Sequence, residues 1–189
     1  MSLVTYSMGV SLDGYITGPD GTFDWGLPTE EIFQVSVGEV RAAGAYILGR
    51  RLYESMLYWE PVDQSPALEF STVEFAQIWR ALPKVVFSNT LDKVMGNARL
   101  ATGNLAEEIA RLKAEVGDRE IGLGGATLAA EAARLDLIDE YRMRVFPILL
   151  GGGLPYFPRE QRRADLQLIE NRTLSSRVLY LRYRVNRTS

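Results

Sequence analysis

Glu120-Ile121-Gly122-Leu123-Gly124-Gly125-Ala126-Thr127-Leu128 decides how the rest of the chain is read. A short strand, Glu120 to Leu123, runs into Gly124-Gly125, and a helix starts at Ala126 and continues to Leu135. Strand, tight turn and helix in succession form half of a βα unit, and strands joined through helices lie parallel in a sheet. Paired glycines at the junction let backbone come close to a pyrophosphate. The segment is not a Rossmann fingerprint, because Thr127 stands where G-x-G-x-x-G needs its last glycine, and no Walker lysine follows.

Two junctions of the same kind lie upstream. Ala45 to Leu48 is a short apolar strand, and Gly49-Arg50-Arg51 opens a helix running to about Leu57. Lys84 to Phe87 reads as a buried strand ending at Ser88-Asn89-Thr90. Working outward, residues 3–12 form a strand in which Val4, Tyr6, Met8 and Val10 alternate. Thr29 is a candidate N-cap, Glu30 and Glu31 occupy a first helical turn, and Ile32, Phe33, Val35, Val37 and Val40 supply the buried side to about Ala43. Further helices are expected from Val73 to Ala81 and from Leu105 to Val116, with a strand at Ala98 to Ala101 between them. Residues 60–72 read as a loop. Tyr141 to Leu150 is a long strand interrupted by Pro147 and broken by Gly151-Gly152-Gly153. Residues 166–174 and 177–185 pair as a hairpin. The expected fold is α/β. A mostly parallel sheet is covered by helices on both faces, with an antiparallel C-terminal hairpin at one edge. All of residues 1–189 are expected to form one domain.

A turn-rich loop, Asp13 to Pro28, carries Phe23 and Trp25. Large apolar side chains on a loop either close over something or pack back on the body of the protein, and both readings stay open.

Composition narrows the chemistry. The 189 residues include 47% hydrophobic and 24% charged residues, with a net charge of −3, so nothing in the overall charge favours nucleic acid or an anionic membrane. There is no cysteine, which excludes disulfides and thiolate chemistry, and no histidine, which excludes serine–histidine hydrolysis and histidine-based metal sites. No metal site is expected. A cofactor that carries its own hydride fits these limits, because the protein then needs only to orient and polarise. Met1 to Val10 lacks the pattern of a signal peptide, and no apolar run reaches the roughly 18 residues of a membrane span. A cytoplasmic protein is expected.

In open α/β sheets ligands bind beyond the carboxyl ends of the strands, where this sequence places three groups suited to phosphate. Arg50 and Arg51 open a helix directly after a strand and offer forked donors. A 2′-phosphate separates NADPH from NADH, so these arginines favour NADPH. The same residues also read as a solvated basic turn. Ser88 and Asn89 fit phosphate or ribose oxygens, or ordinary turn chemistry. Gly124-Gly125-Ala126-Thr127 completes the set.

These segments together resemble the dihydrofolate reductase superfamily, and most closely stand-alone domains similar to the C-terminal half of the riboflavin-biosynthesis deaminase/reductase. The resemblance covers nearly the whole chain. It rests on Ser11-Leu12-Asp13-Gly14-Tyr15-Ile16, Trp25-Gly26-Leu27-Pro28-Thr29-Glu30, Leu48-Gly49-Arg50 with Glu54, and Ser88. It continues through Gly124-Gly125-Ala126, Asp139-Glu140, and Gly153 with Phe157-Pro158, all in the family's order. The resemblance implies a three-layer α/β/α fold and NADPH as cofactor. Arg50 and Arg51, with Gly49, would face its adenosine phosphate, and Ser88 and Asn89 would sit nearby. Gly124 to Thr127 would hold its pyrophosphate, Ile16 with the loop to Trp25 would cover its nicotinamide, and Trp25 and Arg144 would bind substrate. Glu30 falls on the acid position of folate reductases, where a carboxyl group in an apolar cleft acts as proton donor; it also reads as a first-turn acid stabilised by the helix dipole. Leu52 and Arg144 depart from threonines usual in folate reductases. Arg144 could pair with Glu30 or bind an anionic substrate. The implied activity is reduction of a small pterin-like or pyrimidine-like ring by a homodimer, of riboflavin rather than folate type. A nucleotide-binding protein without turnover is the alternative.

Overall fold

A computed structural model describes residues 2–26, 29–61, 70–158 and 163–187. Among the described residues ten strands and five α-helices follow one another. The strands are β1 (Val4–Ser11), β2 (Tyr15–Thr17), β3 (Ala43–Gly49), β4 (Lys84–Phe87), β5 (Ala98–Leu100), β6 (Glu120–Gly124), β7 (Glu140–Phe146), β8 (Leu154–Pro155), β9 (Asp165–Thr173) and β10 (Leu179–Asn186). The helices are α1 (Glu30–Ala42), α2 (Arg50–Met56), α3 (Phe70–Ala81), α4 (Leu105–Glu115) and α5 (Ala126–Arg134).

Eight strands form one sheet in the order β5-β4-β3-β6-β1-β7-β10-β9. All pairings from β5 through β7 are parallel, and β10 joins β7 and β9 antiparallel. The expected class is therefore the observed one. After β1 the chain builds outward through β3, β4 and β5, then returns through α4 to insert β6 between β3 and β1. This places the carboxyl ends of β3 and β6 side by side, with Leu48 opposite Gly124.

The central strands are buried on both faces. On one face Val4, Tyr6, Ile47, Ile121 and Leu123 pack against Leu105, Ile109 and Leu112 of α4 and Leu128, Ala129 and Ala132 of α5. On the other, Leu48 and Val86 pack against Val37 and Val40 of α1, Tyr53 of α2, and Phe75 and Trp79 of α3. Burial of this kind is the main driving force for the fold. Asn104 starts α4 with a reciprocal cap: its side chain accepts from Glu107 N at 3.0 Å, and its own N–H donates to Glu107 Oε2 at 3.0 Å.

Three differences from the sequence reading have local causes. Tyr15-Ile16-Thr17, inside the expected loop, pairs with Leu154-Pro155 as a small separate sheet, and Ile16 is buried. The strand expected to reach Leu150 ends at Phe146, because Pro147 has no N–H to continue the ladder. Helix α3 starts at Phe70, within the segment read as loop. Leu27 and Pro28, and residues 62–69 of that loop, lie outside the described residues. Among the described residues no helix is long and apolar enough to cross a membrane.

Candidate functional site

Alternation along β1 directs Val4, Tyr6 and Val10 into the α4/α5 layer, which turns the small residues Thr5, Ser7 and Gly9 to the other face. Small side chains leave room there. A cavity of about 320 Å³ lies between this face and helices α1, α2 and α3, within the usual range for small-molecule sites. Leu52, Met56, Trp59, Phe75 and Trp79 give it an apolar wall, and Ser7, Glu39 and Arg144 a charged one.

Ser7 Oγ lies 2.9 and 2.8 Å from the two oxygens of Glu39. Arg144 Nη1 donates to Glu39 Oε2 at 3.1 Å and to Ser7 Oγ at 3.2 Å, and the Tyr180 hydroxyl donates to Glu39 Oε1 at 3.0 Å. Burial, reinforced by the adjacent Glu39, raises the Tyr180 phenol well above its ordinary value, so it remains a donor. Burial and Glu39 likewise push Tyr46, which also lines the cavity, up to about 12.

Glu30 is not part of this wall. It sits on the exposed first turn of α1, where its Oε1 accepts from Gln34 Nε2 at 2.8 Å. The apolar cleft expected around Glu30 is not observed, and the partner of Arg144 is Glu39 rather than Glu30. Arg144 does face the cavity. Trp25 does not. It packs edge-on against Phe23, 5.4 Å away, and Phe146, 5.5 Å away, while Phe23 and Gly26 reach the cavity instead. Ile16 belongs to the core layer with Val10 and Tyr156 and is absent from the cavity lining.

The phosphate-suited residues do gather at one edge. Arg50 Nη1 donates to Thr90 Oγ1 at 2.9 Å, and Ser88 Oγ lies 3.4 Å from that same oxygen. Ser88 Oγ also accepts from the backbone N–H groups of Thr90 and Leu91, a local turn arrangement. Arg51, Asn89 and Thr127 are exposed. Gly125 precedes α5 with φ 99° and ψ 126°, and no side chain caps the helix, so its first N–H groups have no side-chain acceptor. A Cβ on Gly125 would meet only Gly49 N, at 3.8 Å. Open space therefore lies where β3 and β6 end, and a pyrophosphate fits it: uncapped N–H groups, no obstructing side chain, and a nearby arginine–hydroxyl cluster. Leu52 links the two regions, since it lines the cavity and would stand 2.4 Å from a Cβ on Gly124.

The uncharacterized protein YyaP of Bacillus subtilis is 29% identical over 188 residues, covering 97% of this chain and 95% of its own length. A Shewanella sp. PV-4 protein provisionally assigned to riboflavin biosynthesis superposes with TM-score 0.76 at 25% identity, over 98% of this chain and 99% of its own. A Thermotoga maritima diaminohydroxyphosphoribosylaminopyrimidine deaminase/5-amino-6-(5-phosphoribosylamino)uracil reductase superposes with TM-score 0.65 at 16% identity. The chain covers 57% of that two-activity protein, and the likeness is one of fold. The model of the RibD C-terminal domain matches residues 2–180, and the chain belongs to that family.

Proposed function

We propose that the protein is an NADPH-dependent reductase of a small pyrimidine-like or pterin-like ring. The observation that carries this reading is the adjacency of a partly open cavity, charged on one wall, to an unobstructed phosphate cradle at the ends of β3 and β6. Membership of a reductase family supports it. NADPH would supply the hydride. Gly124, Gly125, Ala126 and Thr127 would hold its pyrophosphate, and Arg50, Arg51, Ser88 and Asn89, with Gly49 beneath them, its 2′-phosphate end. Within the cavity, Phe23 and Trp59 would shield the ring from bulk solvent, and Arg144 would stabilise negative charge on it. With Glu30 exposed, the proton would come from a water admitted at the open side of the cavity.

Titration with NADPH and NADH, followed through tryptophan fluorescence, tests the cofactor site. NADPH should bind about tenfold or more tightly than NADH, and Arg50→Ala/Arg51→Ala should erase most of that difference. If neither nucleotide binds, the reductase reading fails. NADPH oxidation with 5-amino-6-(5-phosphoribosylamino)uracil then tests the riboflavin-type reading: turnover would rule out a nucleotide-binding protein without activity, and none would reject this substrate. The reading includes a homodimer. Strand β9 lies at the sheet edge, and Leu166, Leu168 and Ile169 on it are 37%, 46% and 41% exposed. Sedimentation should give a dimer for the native protein and a monomer for Leu168→Arg; a monomer for both would refute this assembly.

A further inference from the structure

The cavity is lined by one carboxylate, and most of its acceptor capacity is already taken. Oε1 of Glu39 receives Tyr180, Oε2 receives Arg144, and the single Ser7 hydroxyl proton is shared between the two oxygens, three donors in all. A carboxylate offers about four lone-pair sites, so little remains for a ligand. Arg144 is in the opposite condition. Among the described residues its hydrogen bonds leave from Nη1 alone, while a guanidinium carries about five N–H donors. Its side chain is 14% exposed and Glu39's is 15% exposed, and both line the cavity. The wall therefore presents several spare donors on Arg144 and about one spare acceptor site on Glu39, too few for a two-point N–H contact.

We propose that Glu39 is a masked carboxylate and a positioning residue. It fixes Arg144 in the cavity wall, and Arg144 in turn hides it, so the cavity selects rings with a carbonyl or oxyanion edge and rejects rings with an amidine edge. This rests on the reading that the cavity is the ring site, but not on turnover. The physical reason is asymmetric satisfaction. A carbonyl edge meets free guanidinium donors. A protonated amidine edge meets a fixed cation and finds no pair of open acceptors, and such a mismatch in a largely buried site costs far more than an exposed one.

The device contains its own reversal. With Arg144 removed, Glu39 keeps Ser7 and Tyr180 but regains an unmatched negative charge facing the cavity. A carboxylate in that state pairs with an amidine edge through two parallel N–H bonds. Loss of one arginine should therefore exchange the preference rather than abolish binding.

Uracil and 2,4-diaminopyrimidine are a matched pair of probes, with oxygen or nitrogen at the same two ring positions. Trp59 and Trp79 line the cavity and report occupancy by fluorescence. The native protein should bind uracil about tenfold or more tightly than 2,4-diaminopyrimidine. Arg144→Gln should reverse the order, with 2,4-diaminopyrimidine gaining about tenfold over the native protein. Adding Glu39→Gln to that variant should remove the gain, whereas Arg144→Lys should keep the native order. A disturbed fold would weaken both rings together in Arg144→Gln, and that result overturns the proposal. So does native binding of 2,4-diaminopyrimidine at least as tight as that of uracil, or no binding of either ring to any variant. NADPH titration of the same samples keeps the two readings apart. Nucleotide binding with the wrong ring preference sinks the masked carboxylate alone, and the expected ring preference without nucleotide binding sinks the reductase alone.

Discussion

Glu140→Gln is expected to destabilise the protein by about 3 kcal/mol or more at neutral pH. Glu140 is fully buried at the start of β7. Its Oε1 accepts from Arg142 Nε at 2.7 Å and Arg182 Nε at 2.8 Å, and its Oε2 from Arg184 Nη2 at 3.0 Å. Arg142 is itself only 4% exposed and bonds Glu120 Oε1 at 2.8 Å. Neutralising Glu140 leaves one acid, Glu120, to balance a buried guanidinium, and the uncompensated charge carries the cost. For a chain of this size the shift corresponds to roughly 6–12 °C in melting temperature. The same group makes stability depend on acid. Burial alone would raise the Glu140 carboxyl, but hydrogen bonds from Arg182, Arg142 and Arg184 outweigh it and hold the group down to about 2, against 4.5 unperturbed. A folded value below the unfolded one means the unfolded chain takes up protons first as pH falls. The contribution is complete above about 4.5 and is lost as pH falls toward 2. Glu108, held at about 2 chiefly by Arg99, loses its contribution over the same window. Urea midpoints at neutral pH and near pH 3 check both statements. The two proteins should differ widely at neutral pH and converge in acid. Equal midpoints at neutral pH would show that the three arginines do not depend on Glu140.

The parallel sheet was legible because its signals are local. Leu48-Gly49-Arg50, Phe87-Ser88-Asn89 and Leu123-Gly124-Gly125-Ala126 each announce a strand end followed by a turn or helix, and a chain with that punctuation has few ways to fold. The phosphate edge was legible for the same reason, since it is made of those turns. The cavity was harder to see, because its charged wall is assembled from β1, α1 and β7, with Tyr180 of β10 behind Glu39, and these are far apart in sequence. Even so, two signals were present. Glu39 stands seven residues after Ile32, on the same face of α1, so a charge sits where the periodicity asks for an apolar residue. Ser7 occupies the small, polar side of a central strand whose other side is Val4, Tyr6, Met8 and Val10. A helical period applied strictly would have selected Glu39 over Glu30. Nothing local marks Tyr180, whose role depends on β10 lying beside β7.

Gly125→Ala is expected to weaken NADPH and NADH in equal proportion, by about 100-fold, or about 2.8 kcal/mol. Two effects combine at this residue. Its φ of 99° is a backbone state that an L-residue enters only at a cost of about 1–3 kcal/mol. An added methyl would also project into the space above Gly49 N, where the fold leaves nothing else within 4 Å. The backbone state accounts for a glycine by itself, and the emptiness adds that nothing in the fold fills the space a side chain would take. The proposed occupant is the pyrophosphate, which both nicotinamide cofactors share. Arg50→Ala gives the contrasting pattern. It touches the Thr90 and Ser88 cluster and not the glycine turn, so it should weaken NADPH and leave NADH nearly unchanged. The ratio of the two affinities therefore identifies which part of the cofactor each residue meets. Thermal melts without nucleotide should show Gly125→Ala folded and only modestly destabilised. If it binds both cofactors as tightly as the native protein, the pyrophosphate does not cross this turn, and the cradle between β3 and β6 loses its assignment.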